Sequence, residues 1–378
     1  MTTPRLGILA YHPIQYHIPL HQLLAKRGNV QVDVLFLSDT GLRLKVDPGF
    51  GVPVAWDIDL LSGYDSSFLA RTESPESFAK RIRALARWLP RHDAVVVNGY
   101  TSPWMLLAMI ICRLRGVPYL LRASSHPEGL STGYRRHLRR IVTRLVVAGS
   151  ACGLSMGQLN GEFYRQSHAK SVIFAPNSVD DERFARPPDV PRSALLAKWG
   201  LKDDRPVIAF CGKLNPNKRP MDLVAALKLL PFDVAAIFVG DGSLGETVRM
   251  SLMPGDGVVT GFVNQSDLPS YYHAADILVL PSEAETWGMV VNEAMACGLL
   301  PVVSDTVGCA PDLVSGVGEV FPRGDVPELA AALCRAVSRL KDPTTRDSIR
   351  QRLETYSLAR TAEGFEQAAD EVTGQPRR

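Results

Sequence analysis

Short runs of apolar residues alternate with stretches of helical periodicity along most of the chain. The runs are rich in Val, Ile and Leu, which predicts strands covered on both faces. They lie at residues 6–10, 30–38, 94–98, 117–122, 171–175, 207–211, 235–239, 277–280 and 301–304. Helical patterns lie at residues 20–27, 78–88, 103–114, 133–147, 155–165 and 358–372, and further helices begin at Pro220 and near Trp287. This alternation predicts an α/β protein with two doubly wound sheets.

Composition agrees with two ordinary globular domains. The 378 residues exceed what one hydrophobic core usually serves, and 46% of them are hydrophobic while 21% are charged. A net charge of +3 is too small to indicate nucleic-acid binding. The six cysteines are scattered without a Cys-x-x-Cys pair, so we expect reduced thiols, no metal site and no bound cofactor.

No targeting or membrane-spanning segment is predicted. The apolar run at residues 6–10 is too short for a signal peptide. The most hydrophobic run, residues 104–112, is far below the roughly 20 residues that cross a bilayer. We therefore expect a cytoplasmic protein, with at most peripheral contact at the inner face of a membrane.

The most informative stretch is ILVLPSEAETWGMVVNEAMACGLL, residues 277–300. It predicts a buried strand, a polar loop and a helix followed by Gly298 in a left-handed conformation. Glu285 and Glu293 have seven residues between them, which places them roughly 12 Å apart along a helix, facing one cleft. The helix N-terminus between them offers free backbone amides and a partial positive charge, which suit a diphosphate.

A second candidate anion site precedes the helix that begins at Pro220. Lys213 and Lys218 lie on the loop at residues 212–219, between a predicted strand and that helix. Two ammonium groups beside a helix N-terminus form a site for a negatively charged ligand.

At these residues the chain resembles the retaining glycosyltransferases of family 4, which share the two-domain GT-B fold. The resemblance is carried by Glu285 and Glu293 in ETWGMVVNEAMACGLLPVV and by the two lysines. It implies that Glu285 holds hydroxyls of the donor sugar, that Glu293 holds ribose hydroxyls, and that the lysines contact the diphosphate. Lys213 replaces the commoner arginine and would act as a point charge.

Other residues match positions that surround the nucleotide or the reacting sugar in this family. The resemblance implies nucleotide contacts at Gly212, Gly240, Gly261, Phe262, Trp287, Gly288 and Met289. It also implies a catalytic role for His126, which follows the strand predicted at residues 117–122. Arg122 and Ser125 are polar neighbours at the same carboxyl end, where open α/β sheets bind ligands.

The resemblance also gives the domain boundaries. The sequence PNSVD, residues 176–180, is similar to the close of the first domain. We place the acceptor-side domain at residues 1–178 and the nucleotide-sugar domain at residues 179–356, with a helix in residues 357–378 that returns to the first domain. We expect two Rossmann-like domains facing a central cleft. We expect residues 39–77 to lie on the acceptor side. The resemblance implies that the turn at residues 11–19 faces both the donor diphosphate and the acceptor, and here it carries His12, Gln15 and His17 where the family is often rich in glycine.

A basic helix is predicted at residues 133–147. Its apolar positions are Leu138, Ile141, Val142 and Leu145, and its arginines spread around the opposite arc at Arg135, Arg136, Arg139, Arg140 and Arg144. Two interpretations stay open, a solvated face and a surface for anionic lipid headgroups or an anionic acceptor.

The resemblance implies a retaining, metal-independent transfer of a sugar from a UDP- or GDP-linked donor to a hydroxyl acceptor, in glycan, glycolipid or secondary-metabolite biosynthesis. An alternative with the same architecture is a nucleotide-sugar 2-epimerase. An NAD-dependent dehydrogenase is disfavoured because the sequence after the first strand, GILAYHPIQYH, lacks G-x-G-x-x-G. A non-catalytic sensor would lack one of the four signature side chains, and all four are present.

Overall fold

The computed structural model describes residues 3–72, 76–124 and 134–374, with all their side chains except those of residues 134–139. The chain divides into two compact units. Unit 1 contains Met1–Arg43, Asp59–Asn177 and Leu358–Arg378, and unit 2 contains Leu44–Ile58 and Ser178–Ser357. Each unit is built on one parallel sheet.

The strands are numbered along the chain. They are β1 (Arg5–Ala10), β2 (Gln31–Phe36), β3 (Lys45–Val46), β4 (Pro53–Val54), β5 (Asp65–Phe68), β6 (Ala94–Asn98), β7 (Tyr119–Arg122), β8 (Cys152–Ser155), β9 (Val172–Phe174), β10 (Val207–Cys211), β11 (Ala235–Val239), β12 (Gly257–Gly261), β13 (Ile277–Leu280), β14 (Leu300–Ser304) and β15 (Glu319–Phe321).

The helices are numbered in the same way. They are α1 (Ile18–Arg27), α2 (Phe78–Trp88), α3 (Pro103–Arg115), α4 (Tyr134–Gly149), α5 (Gln158–Gln166), α6 (Asp181–Ala185), α7 (Arg192–Lys198), α8 (Pro220–Leu227), α9 (Gly245–Ser251), α10 (Leu268–His273), α11 (Met289–Ala296), α12 (Val326–Arg339), α13 (Thr344–Thr355) and α14 (Leu358–Thr373).

Both sheets reverse their strand order once. The unit 1 sheet runs β5-β2-β1-β6-β7-β8-β9, and the unit 2 sheet runs β12-β11-β10-β13-β14-β15. All neighbouring strands in them are parallel. The reversals lie between β1 and β6 in unit 1 and between β10 and β13 in unit 2. Open α/β sheets bind ligands at such switch points, beyond the carboxyl ends of the strands.

The inner strands are buried on both faces, as their continuous apolar sequences predict. All four residues of β13, Ile277–Leu280, have no solvent exposure. The helices that cover the sheets are set by local signals. In α3, for example, the Ser102 hydroxyl accepts a bond from the Trp104 amide at 3.2 Å, Pro103 occupies the first turn, and Gly116 ends the helix with a left-handed φ of 68°.

Helix α14 packs onto unit 1. Phe365 is buried, and Gly364 lies so near β9 that a Cβ there would be 2.4 Å from the carbonyl oxygen of Phe174. Arg27 on α1 donates two bonds to Glu366, at 2.8 and 3.0 Å. These contacts join α14 to both α1 and the sheet.

Many predicted elements agree with the structure. The strands at residues 94–98, 207–211, 235–239 and 277–280 and the helix at residues 78–88 have the predicted bounds. The helix predicted at residues 155–165 is wrong at its start, because Ser155 belongs to β8 and α5 begins at Gln158. The Ser155 hydroxyl donates to the carbonyl of Gly157 at 2.9 Å and stabilises the turn between them.

The segment at residues 39–77 is divided between the units. We predicted it as part of the first domain, but Leu44–Ile58 belongs to unit 2. There β3 and β4 pair as an antiparallel hairpin. The unit 2 residues that this hairpin contacts are far away in the sequence, so periodicity within residues 39–77 could not indicate them.

The outward face of α4 also differs from the prediction. Ile141 and Leu145, predicted as an apolar face opposite the arginines, are 55% and 67% exposed, while Thr143, Val146 and Val147 are buried. Both sets fit helical spacing, so the pattern alone does not say which set faces the core.

Candidate functional site

The signature residues lie around the switch point of the unit 2 sheet. Lys213 and Lys218 are on the loop after β10, and Glu285 is on the loop after β13. These two strands are neighbours across the reversal of strand order. The loops therefore leave the sheet side by side at its carboxyl edge.

Backbone and side-chain bonds connect the two loops. The Glu283 amide donates to the carbonyl of Asn217 at 2.7 Å, and the Asn217 side-chain amide donates to the carbonyl of Ala284 at 3.1 Å. This pairing brings the ammonium of Lys218 into an ion pair with the Glu285 carboxylate. Their side chains are 20% and 18% exposed, so a ligand can reach them.

The residue after Lys218 has an unusual backbone. Arg219 is left-handed, with a φ of 49°, which is uncommon outside glycine. Its guanidinium donates to Asp222 at 2.7 Å and to Glu283 at 2.8 Å. Because Glu283 is on the loop that carries Glu285, Arg219 helps to hold both loops together.

Glu293 lies in a buried environment. It is on α11, it is only 1% exposed, and its Oε2 accepts a bond from the Tyr272 hydroxyl at 2.7 Å. Burial, followed by the negative charge of Glu293, raises the pKa of Cys211 to about 12. The two glutamates thus differ, since Glu285 is partly exposed in an ion pair and Glu293 is buried beside a tyrosine.

The residues between the glutamates build the turn that begins α11. The Trp287 indole is buried and donates to Asn292 at 2.8 Å. Gly288 has a left-handed φ of 99°, and Met289 begins the helix. Gly308 lies against this turn so closely that a Cβ would be 2.1 Å from the carbonyl oxygen of Thr286. The structure thus gives Trp287 and Gly288 a role in fixing the loop that carries Glu285.

Three of the predicted nucleotide-binding residues are glycines that come together at the ends of β10, β11 and β12. Gly212, Gly240 and Gly261 have positive φ angles of 139°, 141° and 79°. A Cβ on Gly240 would lie 1.9 Å from the carbonyl oxygen of Gly212, and the Gly240 amide donates to Gly261 at 2.9 Å. Side chains are excluded here because the backbones at the ends of these strands pack directly against one another.

Sequence reasoning missed the hairpin residues that reach this edge. The Asp47 carboxylate pairs with the Lys213 ammonium at 2.8 Å, and the Phe50 ring lies 5.0 Å from the ring of Phe262. The run Asp47-Pro48-Gly49 predicts a turn, but no local pattern in the sequence indicates which distant residues that turn contacts.

The unit 1 switch point carries a different set of groups. The Tyr11 hydroxyl bonds the Thr101 hydroxyl at 2.8 Å and accepts from the Ser102 amide at 3.1 Å. Arg122 is buried and donates to the carbonyl oxygens of Ala175 and Pro176, so the structure gives it a role in holding the end of β9. His126 and Ser125 lie outside the described residues.

The described part of the chain holds neither a candidate membrane-spanning helix nor a candidate metal site. In residues 3–72, 76–124 and 134–374, no helix is long and apolar enough to cross a membrane. Within those same ranges, no three His, Cys, Asp or Glu side chains are grouped so that they could hold a metal ion. Of the basic residues on α4, Arg140 and Arg144 have described side chains, and both are exposed.

Comparison with solved structures addresses the fold. HepE of Anabaena, in complex with UDP and glucose, is 17% identical with a TM-score of 0.72, over 98% of this chain and all of that one. The lipopolysaccharide outer core galactosyltransferase WaaB is 17% identical with a TM-score of 0.68, over 97% of this chain and 99% of that one. These likenesses, with the two Rossmann-like units, confirm the predicted GT-B fold.

Comparison of sequences addresses the family. Residues 205–339 match the family model described as Glycosyl transferases group 1. The chain is similar to a GDP-mannose-dependent phosphatidylinositol monomannoside mannosyltransferase of Corynebacterium glutamicum, 28% identical over 66% of this chain and 67% of that protein. It is also similar to the 2-deoxystreptamine N-acetyl-D-glucosaminyltransferase of Streptomyces fradiae, 30% identical over 90% of this chain and 89% of the relative. The match at residues 205–339 includes the lysines and both glutamates, and the second likeness extends over nearly the whole chain, so the protein belongs to the group 1 glycosyl transferases.

Proposed function

We propose that this glycosyltransferase moves a sugar from a UDP- or GDP-linked donor to a hydroxyl acceptor, with retention of configuration and without a metal ion. The observation that carries the proposal is the group of charges at the unit 2 switch point. Lys213, Lys218 and Glu285 lie on adjacent loops there, and Glu293 lies on the helix that follows. Such a site offers cations for a diphosphate and a carboxylate for sugar hydroxyls.

Proteins of similar sequence or fold support a nucleotide-linked donor. HepE was solved with UDP and with UDP-glucose, and the relative from Corynebacterium glutamicum is described as GDP-mannose-dependent. In the present chain, Gly212, Gly240 and Gly261 bring no side chains to the sheet edge beside Lys213. A nucleotide could therefore approach the backbone at this edge without meeting a side chain of these three residues.

The lysines would act on the leaving group. When the bond between the anomeric carbon and the phosphate oxygen breaks, negative charge accumulates on the diphosphate. Ammonium groups already held at that position stabilise the charge without reorganising at the moment of reaction. Lys213 and Lys218 can therefore supply the positive charge that a metal ion supplies in metal-dependent sites that bind phosphate groups.

Glu285 would act on the transferred sugar. Its carboxylate is paired with Lys218, which orients it as an acceptor for sugar hydroxyls. In a reaction on one face of the sugar, the acceptor oxygen bonds to the anomeric carbon as the diphosphate leaves. The acceptor proton passes to the departing phosphate, so the chain need not supply a covalent nucleophile.

Donor binding and product analysis test this proposal. A thermal-shift panel of UDP-glucose, UDP-galactose, UDP-N-acetylglucosamine and GDP-mannose should identify a donor that raises the melting temperature. Proton NMR of the product should then show the anomeric configuration of the donor, and activity should survive excess EDTA. If none of these donors binds, the proposed donor class is wrong. An inverted product would contradict retention, and a loss of activity that Mg²⁺ restores would contradict metal independence. A changed sugar in donor incubated alone would indicate the 2-epimerase instead.

We also propose peripheral contact between α4 and an anionic membrane surface. Arg140 and Arg144 are exposed and stand next to Ile141 and Leu145, which are exposed apolar residues. A helix that presents arginines and large apolar side chains together is suited to the boundary between headgroups and acyl chains.

A further inference from the structure

The hairpin of β3 and β4 lies along the carboxyl edge of the unit 2 sheet. Gly49 packs so closely on Lys213 that a Cβ would lie 2.4 Å from the lysine Cδ. The carbonyl oxygen of Gly49 is also 3.0 Å from where a Cβ on Gly242 would stand. The hairpin therefore contacts the loops after β10 and β11, at the edge where parallel sheets bind ligands.

The loop after β12 holds the same segment. The Asn264 side-chain amide donates to the carbonyl of Ala55 at 2.6 Å, and the Ser266 amide donates to Asp57 at 3.1 Å. The ring of Phe50 meets the ring of Phe262 at 5.0 Å. Three loops that surround the proposed donor site thus share one partner, which comes from a distant part of the sequence.

The central contact is an ion pair on a lysine of the proposed donor site. The Asp47 carboxylate lies 2.8 and 3.1 Å from the Lys213 ammonium. The Phe50 ring lies 5.1 Å from the same nitrogen, within range of a cation–π interaction. The side chains of Lys213 and Asp47 are 36% and 31% exposed, so an anion from solvent can reach the pair.

Asp47 is also held by its own turn. Its Oδ1 accepts from the amides of Gly49 at 2.7 Å and Phe50 at 3.1 Å. Burial acts to raise the pKa of Asp47, but the bonds from Lys213 and these two amides outweigh it, so the pKa lies below its usual range. The carboxylate is therefore ionised at neutral pH, and its position does not depend on the lysine alone.

A diphosphate at Lys213 would compete with Asp47. The two are both negative, and like charges a few ångströms apart repel. The lysine ammonium sits on a flexible stem and can turn towards a new anion. Asp47 would keep its two amide bonds and its contact with solvent after such a turn, so the exchange leaves no buried charge without a partner.

We propose that Asp47 is a residue of the donor site that occupies the Lys213 ammonium until the diphosphate of the donor takes its place. The inference rests on the proposed function, because it assigns Lys213 to the donor diphosphate. It adds a residue from the β3–β4 hairpin to a site otherwise built from the loops that follow the strands of the unit 2 sheet. The affinity for nucleotide then reflects a competition between two anions for one ammonium.

Calorimetric titration of the full chain with UDP, GDP and uridine tests the exchange. Asp47→Asn removes the charge but keeps an oxygen that accepts from both amides. It should lower the Kd for the diphosphate by about fivefold, the size expected of a partly exposed ion pair. The Kd for uridine, which has no phosphate, should stay within about twofold. Asp59→Asn is the matched control, because Asp59 also accepts from two amides, of Leu61 and Ser62, and should change neither Kd.

A second comparison guards against an indirect effect of the substitution. In a Lys213→Met background, Asp47→Asn should no longer lower the Kd for UDP, because the ammonium for which Asp47 and the diphosphate compete has been removed. An unchanged or higher Kd in Asp47→Asn alone, or an equal gain for uridine, would overturn the inference while leaving the proposed donor site standing. If neither UDP nor GDP binds to the wild type, to Asp47→Asn or to Asp59→Asn, the proposed donor site is overturned as well.

Discussion

The two switch points of this protein share a topology and differ in chemistry. At the β1/β6 reversal, neutral groups bond one another, as Tyr11 does with Thr101, and the nearby imidazole of His21 is buried. At the β10/β13 reversal, the corresponding loops carry the Lys218–Glu285 ion pair, and Lys213 on the same loop pairs with Asp47. Topology therefore sets where a ligand can bind, while residue type sets which ligand it is.

The difference extends to how each edge would respond to a ligand. The unit 2 pairs are partly exposed, so an anionic ligand can replace one partner. In unit 1 the charge of Arg122 is buried and directed to backbone carbonyls. Burial, then the charge of Arg122, lowers the pKa of His17 to about 4. Among the described residues beyond β1 and β6, hydroxyl groups and a neutral imidazole thus stand where unit 2 has ion pairs.

The largest expected effect separates the two glutamates of the unit 2 edge. Glu285→Gln should lower kcat by roughly 10²-fold, about 3 kcal/mol, because a contact to the reacting sugar strengthens in the transition state. Glu293→Gln should raise KM for the donor and keep kcat within about tenfold, because a contact to ribose is similar in both states. Steady-state kinetics over a donor titration measures kcat and KM for both variants and so tests the two roles. The assignment of roles is wrong if Glu293→Gln loses kcat while Glu285→Gln changes only KM.

The next largest effect is a loss of folding stability at low pH, caused by the buried His21 of unit 1. Burial, then the charges of His17 and Arg122, lowers the pKa of His21 from 6.5 to about 3. The unfolded chain therefore binds a proton at higher pH than the folded one, and the stability that His21 contributes above pH 6.5 is lost as pH falls towards 3. This group alone should cost about 2 kcal/mol between pH 6.5 and about pH 4.5.

Chemical denaturation across that pH range measures the loss. His21→Met should flatten the pH dependence, whatever its effect on stability at neutral pH. His168→Asn is the control, since His168 is exposed and asparagine tolerates its left-handed φ of 62°. An equal slope in wild type and His21→Met would contradict the buried, neutral imidazole.

A smaller effect is expected from Lys213. Lys213→Met should lower kcat/KM for the donor by roughly tenfold, about 1.4 kcal/mol, because one of two cations on the diphosphate is removed. Lys228→Met, an exposed lysine at the end of α8, should leave kcat/KM unchanged. Equal losses in the two variants would show a general effect of charge and no local role.

The smallest effect concerns the outer face of unit 1. Arg140→Ser with Arg144→Ser should reduce sedimentation with anionic vesicles at low salt, and added salt should remove the difference. Arg83→Ser with Arg87→Ser is the matched control, because these arginines are exposed with the same spacing on α2. Equal sedimentation of both double variants and the wild type would reject the membrane surface.

Local sequence patterns predicted the strands and helix ends at the unit 2 edge, but they did not predict the contacts between residues far apart in the sequence. Strands such as β13 are continuous apolar runs, and Gly298 with its φ of 86° follows α11 where a left-handed residue was predicted. The proximity of Lys218 and Glu285 depends on strand order, which local patterns do not encode. The Asp47–Lys213 pair joins residues far apart in the sequence. For α4, the spacing allowed two faces, and packing against the core selected the one with Val146 and Val147.

The packing of α14 has a consequence for the order of folding during synthesis. Unit 1 includes Leu358–Arg378, which the ribosome makes only after Ser178–Ser357. Phe365 and the neighbouring alanines fill the unit 1 core, so until they emerge the surface they cover stays open to water. Domains usually complete their folding from the N-terminus onward. In this chain unit 2 can be complete first, and the nascent unit 1 needs protection from aggregation for longer than its position in the sequence suggests.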